Sequence, residues 1–135
     1  MVFGRSNDNT PPAEKAARGR AARDSGYAAE EAAAKLLEAR GARIVARNVR
    51  CKGGEVDLVV DDGGTLAFVE VRLRKDDRFG GAAASVTATK QRRVLLAAQF
   101  FLQRQPRLAD RPCRFDCVLA DGAGAMEWLK DAFRA

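Results

Sequence analysis

Apolar and polar positions change period several times along this chain, and each change marks an element. In DSGYAAEEAAAKLLEAR, residues 24–40, Tyr27, Ala33, Ala34 and Leu37 recur at three- and four-residue spacing. That stripe predicts a helix from Asp24 to Arg40, capped by Asp24 or Ser25 and stopped at Gly41. RIVARN, 43–48, reads as a short strand, and VDLVVD and LAFVEVRLR as two more. The Asp-Asp-Gly-Gly between the last two is a hairpin signal. Residues 75–86, rich in charge and glycine, read as a loop beside a site. A second helix is expected from Thr89 to Gln103, with the stripe Val94, Ala97, Ala98 and Phe101 and a stop at Pro106. CRFDCVLA, 113–120, gives another strand and 121–125 a turn. MEWLK, 126–130, adds a short edge strand, with Trp128 and Phe133 packing the C-terminal end onto the core. Residues 1–22 lack a period and read as a flexible basic tail, leaving 23–135 as a single α/β domain with a mixed sheet and helices against it.

The hairpin can be written out as geometry. With Gly63-Gly64 as the loop, Asp62 pairs with Thr65, Leu58 with Val69, Asp57 with Glu70, Val56 with Val71 and Glu55 with Arg72. Alternation then puts Val56, Leu58, Val60, Ala67, Val69 and Val71 on one apolar face. Glu55, Asp57, Val59, Phe68, Glu70 and Arg72 take the other. Asp57 and Glu70 become cross-strand neighbours with Cβ atoms about 4.5–5.5 Å apart, where like charges destabilise. A shared proton or a cation relieves that repulsion. A solvated outer face would screen it, with Glu55–Arg72 an ordinary ion pair.

Glu30 lies on the apolar stripe of the first helix, either as a third site acid or as an acid favoured by the helix N-terminus, whereas Glu31 faces Lys35. Lys90 precedes the second stripe by one turn and leans toward the sheet, at a helix N-terminus where a cation is unfavourable. A nearby anion would resolve that, and solvent would make it harmless. Asp116 lies near the site or pairs with a neighbouring arginine; the latter is favoured.

Charge narrows the classes. Net charge is +6, carried by 18 Arg and 6 Lys, and arginine's planar fork suits phosphate, so an acidic polymer is a reasonable partner. The absence of histidine excludes His-based triads and most zinc sites, leaving carboxylates, lysine and arginine. Cys51, Cys113 and Cys117 are odd in number and read as buried free thiols in a reducing, cytoplasmic setting. No run approaches the ~18 apolar residues of a membrane span, and no signal-peptide core is present.

Five segments in order resemble the YraN-like family of small bacterial proteins. They are GYAAEEAAAKLLEARG (26–41), IVARNVR (44–50), GEVDLVVDDGGTLAFVEVRLR (54–74), SVTATKQRR (85–93) and RFDCVLADG (114–122). That family falls in the restriction-endonuclease-like, PD-(D/E)XK nuclease superfamily. The resemblance implies a central mixed sheet flanked by helices in α-β-β-β-α-β order, with acids of the second and third strands binding Mg²⁺ or Mn²⁺. By position Asp57 is the motif aspartate, Glu70 the motif glutamate and Glu30 the helix glutamate of the Holliday-junction-resolvase branch. The metal ligands implied are Asp57, Glu70, the Val71 backbone carbonyl and Glu30, the last directly or through water. Two positions depart from the family pattern. Residue 29 is alanine instead of a second glycine, and the motif lysine is Arg72, which never loses its proton because its pKa lies above ~12.

The implied activity is metal-dependent cleavage of DNA, structure-selective in the manner of a junction resolvase, with Glu30, Asp57, Glu70 and Arg72 as the catalytic group. Arg43, Arg47, Arg50, Lys52, Lys90, Arg92 and Arg93 are the candidates for nucleic-acid contact, with duplex or junction DNA favoured over RNA and single strands. Resolvase relatives act as dimers, so a homodimer is admitted, though no residue identifies an interface. The alternative is a nuclease fold retained as a non-catalytic nucleic-acid-binding module, which Arg72 favours; a third reading is a structural or regulatory partner protein with a vestigial site.

Overall fold

A computed structural model describes residues 28–73, 86–121 and 123–134. The expected tail, the N-cap of the first helix and the 75–86 loop except Val86 lie outside the described residues. Helix α1 runs over 28–39 and ends in a Schellman arrangement at Gly41, where the Ala42 amide donates to the Leu37 carbonyl and the Gly41 amide to Glu38. Three antiparallel strands follow: β1 (Arg43–Cys51), β2 (Gly54–Asp62) and β3 (Thr65–Leu73). Helix α2 (Ala88–Gln103) is capped by Thr87, and a 3₁₀ turn at Pro106–Leu108 leads into β4 (Cys113–Ala120) and β5 (Met126–Phe133).

The strands lie side by side in the order β1-β2-β3-β4-β5, with β3 and β4 parallel and every other pair antiparallel. This is the mixed sheet and α-β-β-β-α-β order of a restriction-endonuclease-like fold, extended by β5. The parallel step needs a crossover, and α2 lies within it. Three strands are longer than the sequence pattern predicts, β2 among them, which begins at Gly54 and ends at Asp62. β1 continues to Cys51 through an irregularity between Ile44 and Ala46, and β5 is a full strand rather than a short one.

Both sheet faces are covered. Ala33, Ala34 and Leu37 of α1 pack on Leu58, Val60, Ala67, Val69, Val118 and Trp128. On the other face Val94, Ala97, Ala98 and Phe101 of α2, the predicted stripe, pack on Val56, Val59, Phe68, Cys117, Leu119 and Phe133. Trp128 and Phe133 therefore do close the C-terminal end, one into each layer. A solvated outer face on the hairpin is overturned by this second layer.

Gly54 sets how close α2 comes. A Cβ there would stand 2.8 Å from the Ala97 backbone nitrogen and 2.9 Å from the Arg93 carbonyl oxygen. Only glycine lets the helix backbone rest on the start of β2. That contact holds the first half of α2, including Lys90, against the sheet end that carries the carboxylates.

Candidate functional site

The β2–β3 turn has the predicted register. Gly63 and Gly64 both take positive φ (63° and 103°), as a two-residue loop of the type I′ kind requires, and the Gly64 amide donates to Asp61 Oδ1. Backbone pairing runs from Asp62↔Thr65 to Leu58↔Val69. There the ladder ends, so the expected pairs Asp57↔Glu70, Val56↔Val71 and Glu55↔Arg72 are not part of it. Instead the Val71 amide donates to Asp57 Oδ2 at 2.8 Å, a side chain serving a donor that a continuing strand would satisfy with backbone.

Side-chain alternation fails at the same point. Leu58 faces α1 while Val56 joins Val59 and Phe68 under α2, against the expected single apolar face from Val56 to Val60. Across from this step on β1, between Arg47↔Leu58 and Val49↔Val56, Asn48 has a positive φ of 50°. Asparagine tolerates that conformation better than most residues. Asp57 thus sits where β2 changes face and parts from β3, at a boundary reached from both helix layers.

Three acids meet there. Asp57 and Glu70 keep only 8% and 3% of their surface exposed. Glu30 on α1 hydrogen-bonds the Asp57 carboxylate, so the stripe acid does face the sheet. Burial pushes the Glu30 carboxyl up to about 7, reinforced by the charge of Asp57, its hydrogen bond and Glu55, against Arg50. Burial likewise raises Glu70 to about 7, together with the Asp57 charge, while Lys90 and Arg72 oppose the shift. Asp57 is raised by burial too, with the Val71 amide as the main opposing influence. All three carboxyls are thus costly to ionise together, since desolvation and like charge act in one direction.

Lys90 reaches in from the first turn of α2, its Nζ 3.2 Å from Glu70 Oε2. Arg72, on β3 two residues beyond Glu70, also acts on that carboxylate. In the parallel register Cys117 stands opposite Glu70, its thiol pushed up to about 12 by burial and by the nearby acids. All three cysteines are free, but against the expectation of three buried thiols only Cys117 is buried; Cys51 is half-buried and Cys113, at the first position of β4, is exposed.

The remaining expectations sort by position. Arg50 and Arg93 both pair with Glu55, at 3.8 and 3.2 Å, and with exposed Lys52 they gather at the β1–β2 turn beside the acids. Arg92 hydrogen-bonds Thr89 and lines a cavity with Phe115, Phe133 and Arg134, so it lies apart from that group. Arg47 pairs with Glu31 at 2.8 Å, so Glu31 looks across to β1 rather than along its helix to Lys35. Arg43 pairs with Asp61 at the far end of the ladder, away from the acids. Glu55 pairs with Arg50 and Arg93 and acts on both Glu30 and Asp57. Its two-residue spacing from Asp57 was the available signal for this role, which the hairpin reading directed to Arg72 instead.

Asp116 is a separate structural hub. Fully buried, it accepts from Arg114, from the Trp128 indole and from the Asp131 amide at 2.8–2.9 Å. It pairs with a neighbouring arginine as expected, and Asp131 takes a positive φ of 57° to present that amide.

As donors, the Asp57 and Glu70 carboxylates supply the hard oxygens that Mg²⁺ or Mn²⁺ prefers, and a divalent ion would offset the cost of burying their charges. Among the described residues, no three Asp, Glu or Cys side chains already converge as a complete metal cage.

A family model described as "Uncharacterised protein family UPF0102" matches residues 29–120. A UPF0102 protein of Xanthomonas axonopodis pv. citri (strain 306) is 56% identical over 117 residues, covering 85% of this chain and 96% of its own. One from Pseudomonas entomophila (strain L48) is 52% identical over 113 residues, covering 81% and 92%. One from Dechloromonas aromatica (strain RCB) is 54% identical over 110 residues, covering 82% and 88%.

Proposed function

Because this chain belongs to the uncharacterised protein family UPF0102, the YraN-like family its motifs resemble, and that name assigns no reaction, we propose a function from the site: Mg²⁺- or Mn²⁺-dependent hydrolysis of phosphodiester bonds in DNA. The observation that carries this reading is the buried Asp57–Glu70 pair at the point where β2 and β3 part, its charges unfavourable without a cation. Asp57, Glu70 and the Val71 carbonyl would hold the ion, with Glu30 directly or through water. A bound divalent ion supplies a water of lowered pKa and offsets charge that develops on phosphate.

The chain's own residues do the rest. Glu30, with a pKa about 7 and a hydrogen bond to Asp57, can hold or release a proton at the edge of the site. Arg72 cannot act as a base, since its guanidinium stays charged, but it can donate to phosphate oxygens and stabilise the pentacovalent state. The Val71 amide fixes the Asp57 carboxylate by its hydrogen bond. Arg50, Lys52 and Arg93 are the group beside the acids that would contact the DNA backbone, with Arg92 further round α2, giving salt-sensitive and largely sequence-independent binding. With contacts to backbone rather than bases, junction or flapped duplexes are the favoured substrates. Among the described residues, no helix is long and apolar enough to cross a membrane. Three free thiols fit a cytoplasmic setting, and a homodimer is part of the same reading.

A second reading rests on Arg72. With arginine at the motif lysine position, the fold would bind nucleic acid without cleaving it. Titration calorimetry with Mn²⁺ on the wild type and Asp57→Asn, followed by cleavage assays on linear, flapped and junction DNA and on RNA, separates the two. Hydrolysis requires Mn²⁺ binding that Asp57→Asn abolishes or weakens, together with cleavage of at least one DNA substrate. Metal binding without cleavage of any substrate would support the binding module, and no binding at millimolar Mn²⁺ would sink the enzyme.

A further inference from the structure

Lys90 occupies an electrostatically poor place for a cation. It is the third residue of α2, its amide donates to the capping Thr87 Oγ1, and the first turn of the helix contains no acid. The positive end of the helix dipole therefore disfavours its ammonium. What compensates is Glu70: the two are 3.2 Å apart, with the lysine side chain 36% exposed and the glutamate 3%. The stem thus enters from the surface and delivers a point charge to a nearly buried carboxylate. Its charge is felt at Asp57 as well, though the ion pair itself is to Glu70. Arg72 also acts on Glu70, from β3, through a delocalised guanidinium rather than the compact point charge of an ammonium.

We propose that Lys90 is the resident cation of the metal-free site, neutralising Glu70 until a divalent ion displaces it. This rests on the reading of Asp57 and Glu70 as metal ligands. Two consequences follow. Metal affinity is held below what the acids alone would give, because the ion must compete with a tethered ammonium. Displacement also frees a mobile ammonium beside the site, the kind of group that the motif position, occupied by Arg72, does not provide.

The test is Mn²⁺ titration calorimetry on the full chain as wild type, Lys90→Met, Lys90→Gln and Lys90→Arg, with Lys35→Met as a control for the loss of one charge on an exposed helix surface. Both neutral variants should bind Mn²⁺ about three- to tenfold more tightly than wild type, the size expected for removing one competing ion pair. Lys90→Arg and Lys35→Met should stay near wild type. In parallel, the rise in Tm on adding Mn²⁺ should be larger for Lys90→Met than for wild type, which also verifies that the variant is folded. Unchanged or weaker Mn²⁺ binding in both neutral variants, with wild type binding normally, overturns the Lys90 proposal and leaves the proposed function standing. An equal gain in Lys35→Met overturns it too, since net charge alone would then be the cause. No Mn²⁺ binding by any variant overturns both readings, whereas binding by the neutral variants alone supports Lys90 as the blocking cation.

Discussion

Glu70 shows how a single residue can set the pH response of the whole chain. Its carboxyl is raised from an ordinary 4.5 to about 7, chiefly by burial, and Glu30 shifts in the same direction to a similar value. Between those values the folded chain binds more protons than the unfolded chain does. Stability from these groups is therefore fully present below about pH 4.5 and is lost as pH rises through about 7. Melting of the metal-free protein in chelator should show Tm falling from pH 5 to pH 8. The fall should be smaller in Glu70→Gln, and an unchanged slope in that variant would contradict the burial argument. At this scale the sequence was informative about direction: Glu30 and Lys90 face the sheet as their stripes direct, while Asp57 and Glu70 come together without the cross-strand pairing that the strand pattern predicts. It was silent on partners supplied by other elements. Spacing along a helix offers Glu31 only Lys35, whereas the fold brings Arg47 across from β1.

Between elements, two contacts carry the geometry of the site. Gly54 allows α2 to lie against β2, and a methyl group there would collide with helix backbone that cannot rotate away. Gly54→Ala should cost about 1–3 kcal/mol in urea unfolding. By moving Lys90 away from Glu70 it should also tighten Mn²⁺ binding, as loss of the competing ammonium does; a neutral effect on stability would mean α2 is held elsewhere. On the other side, Asp116 ties β4 to β5 by accepting from Arg114, Trp128 and the Asp131 amide. Asp116→Ala leaves the buried Trp128 indole unmatched and Arg114 with Asp62 alone, and should cost about 1–3 kcal/mol. Trp128, the one tryptophan, reports the loss directly through its fluorescence. The glycine turn made the hairpin register legible from Asp62 to Leu58, since the loop type and the period of two agree. The crossing of faces at Val56 was not legible. It arises where a side-chain carboxylate takes a backbone amide and Asn48 adopts a positive φ, neither of which alternation of residue types encodes.

Across the whole molecule, ion pairs are divided between the two ends of the hairpin sheet. At the turn end Asp61 and Asp62 collect Arg43, Arg111, Arg114 and Lys130, and these pairs hold both carboxylates below the usual range. At the other end the acids are raised instead, and the arginines beside them share one glutamate, Glu55. The proposed DNA surface therefore lies at the end where the carboxylates are undercompensated. Binding of a junction duplex should weaken with added salt, and Arg50→Ala or Arg93→Ala should each reduce the slope of log affinity against log salt by about 1. Arg43→Ala, at the opposite end, should change that slope little; an equal effect would place the DNA elsewhere. The overall class was readable because element order and motif order agree along the chain, while the covering of the second face by α2 had to come from the fold.

The central claim is that Asp57 and Glu70 hold a metal ion for phosphodiester hydrolysis. Its most direct test is cleavage and binding of junction DNA measured in parallel, with and without Mn²⁺, for the wild type and Glu70→Gln. The expected result is Mn²⁺-dependent cleavage by wild type, loss of cleavage by about a hundredfold or more in Glu70→Gln, and retained DNA binding. Cleavage by Glu70→Gln at the wild-type rate, or DNA binding by wild type with no cleavage in Mn²⁺, would contradict it.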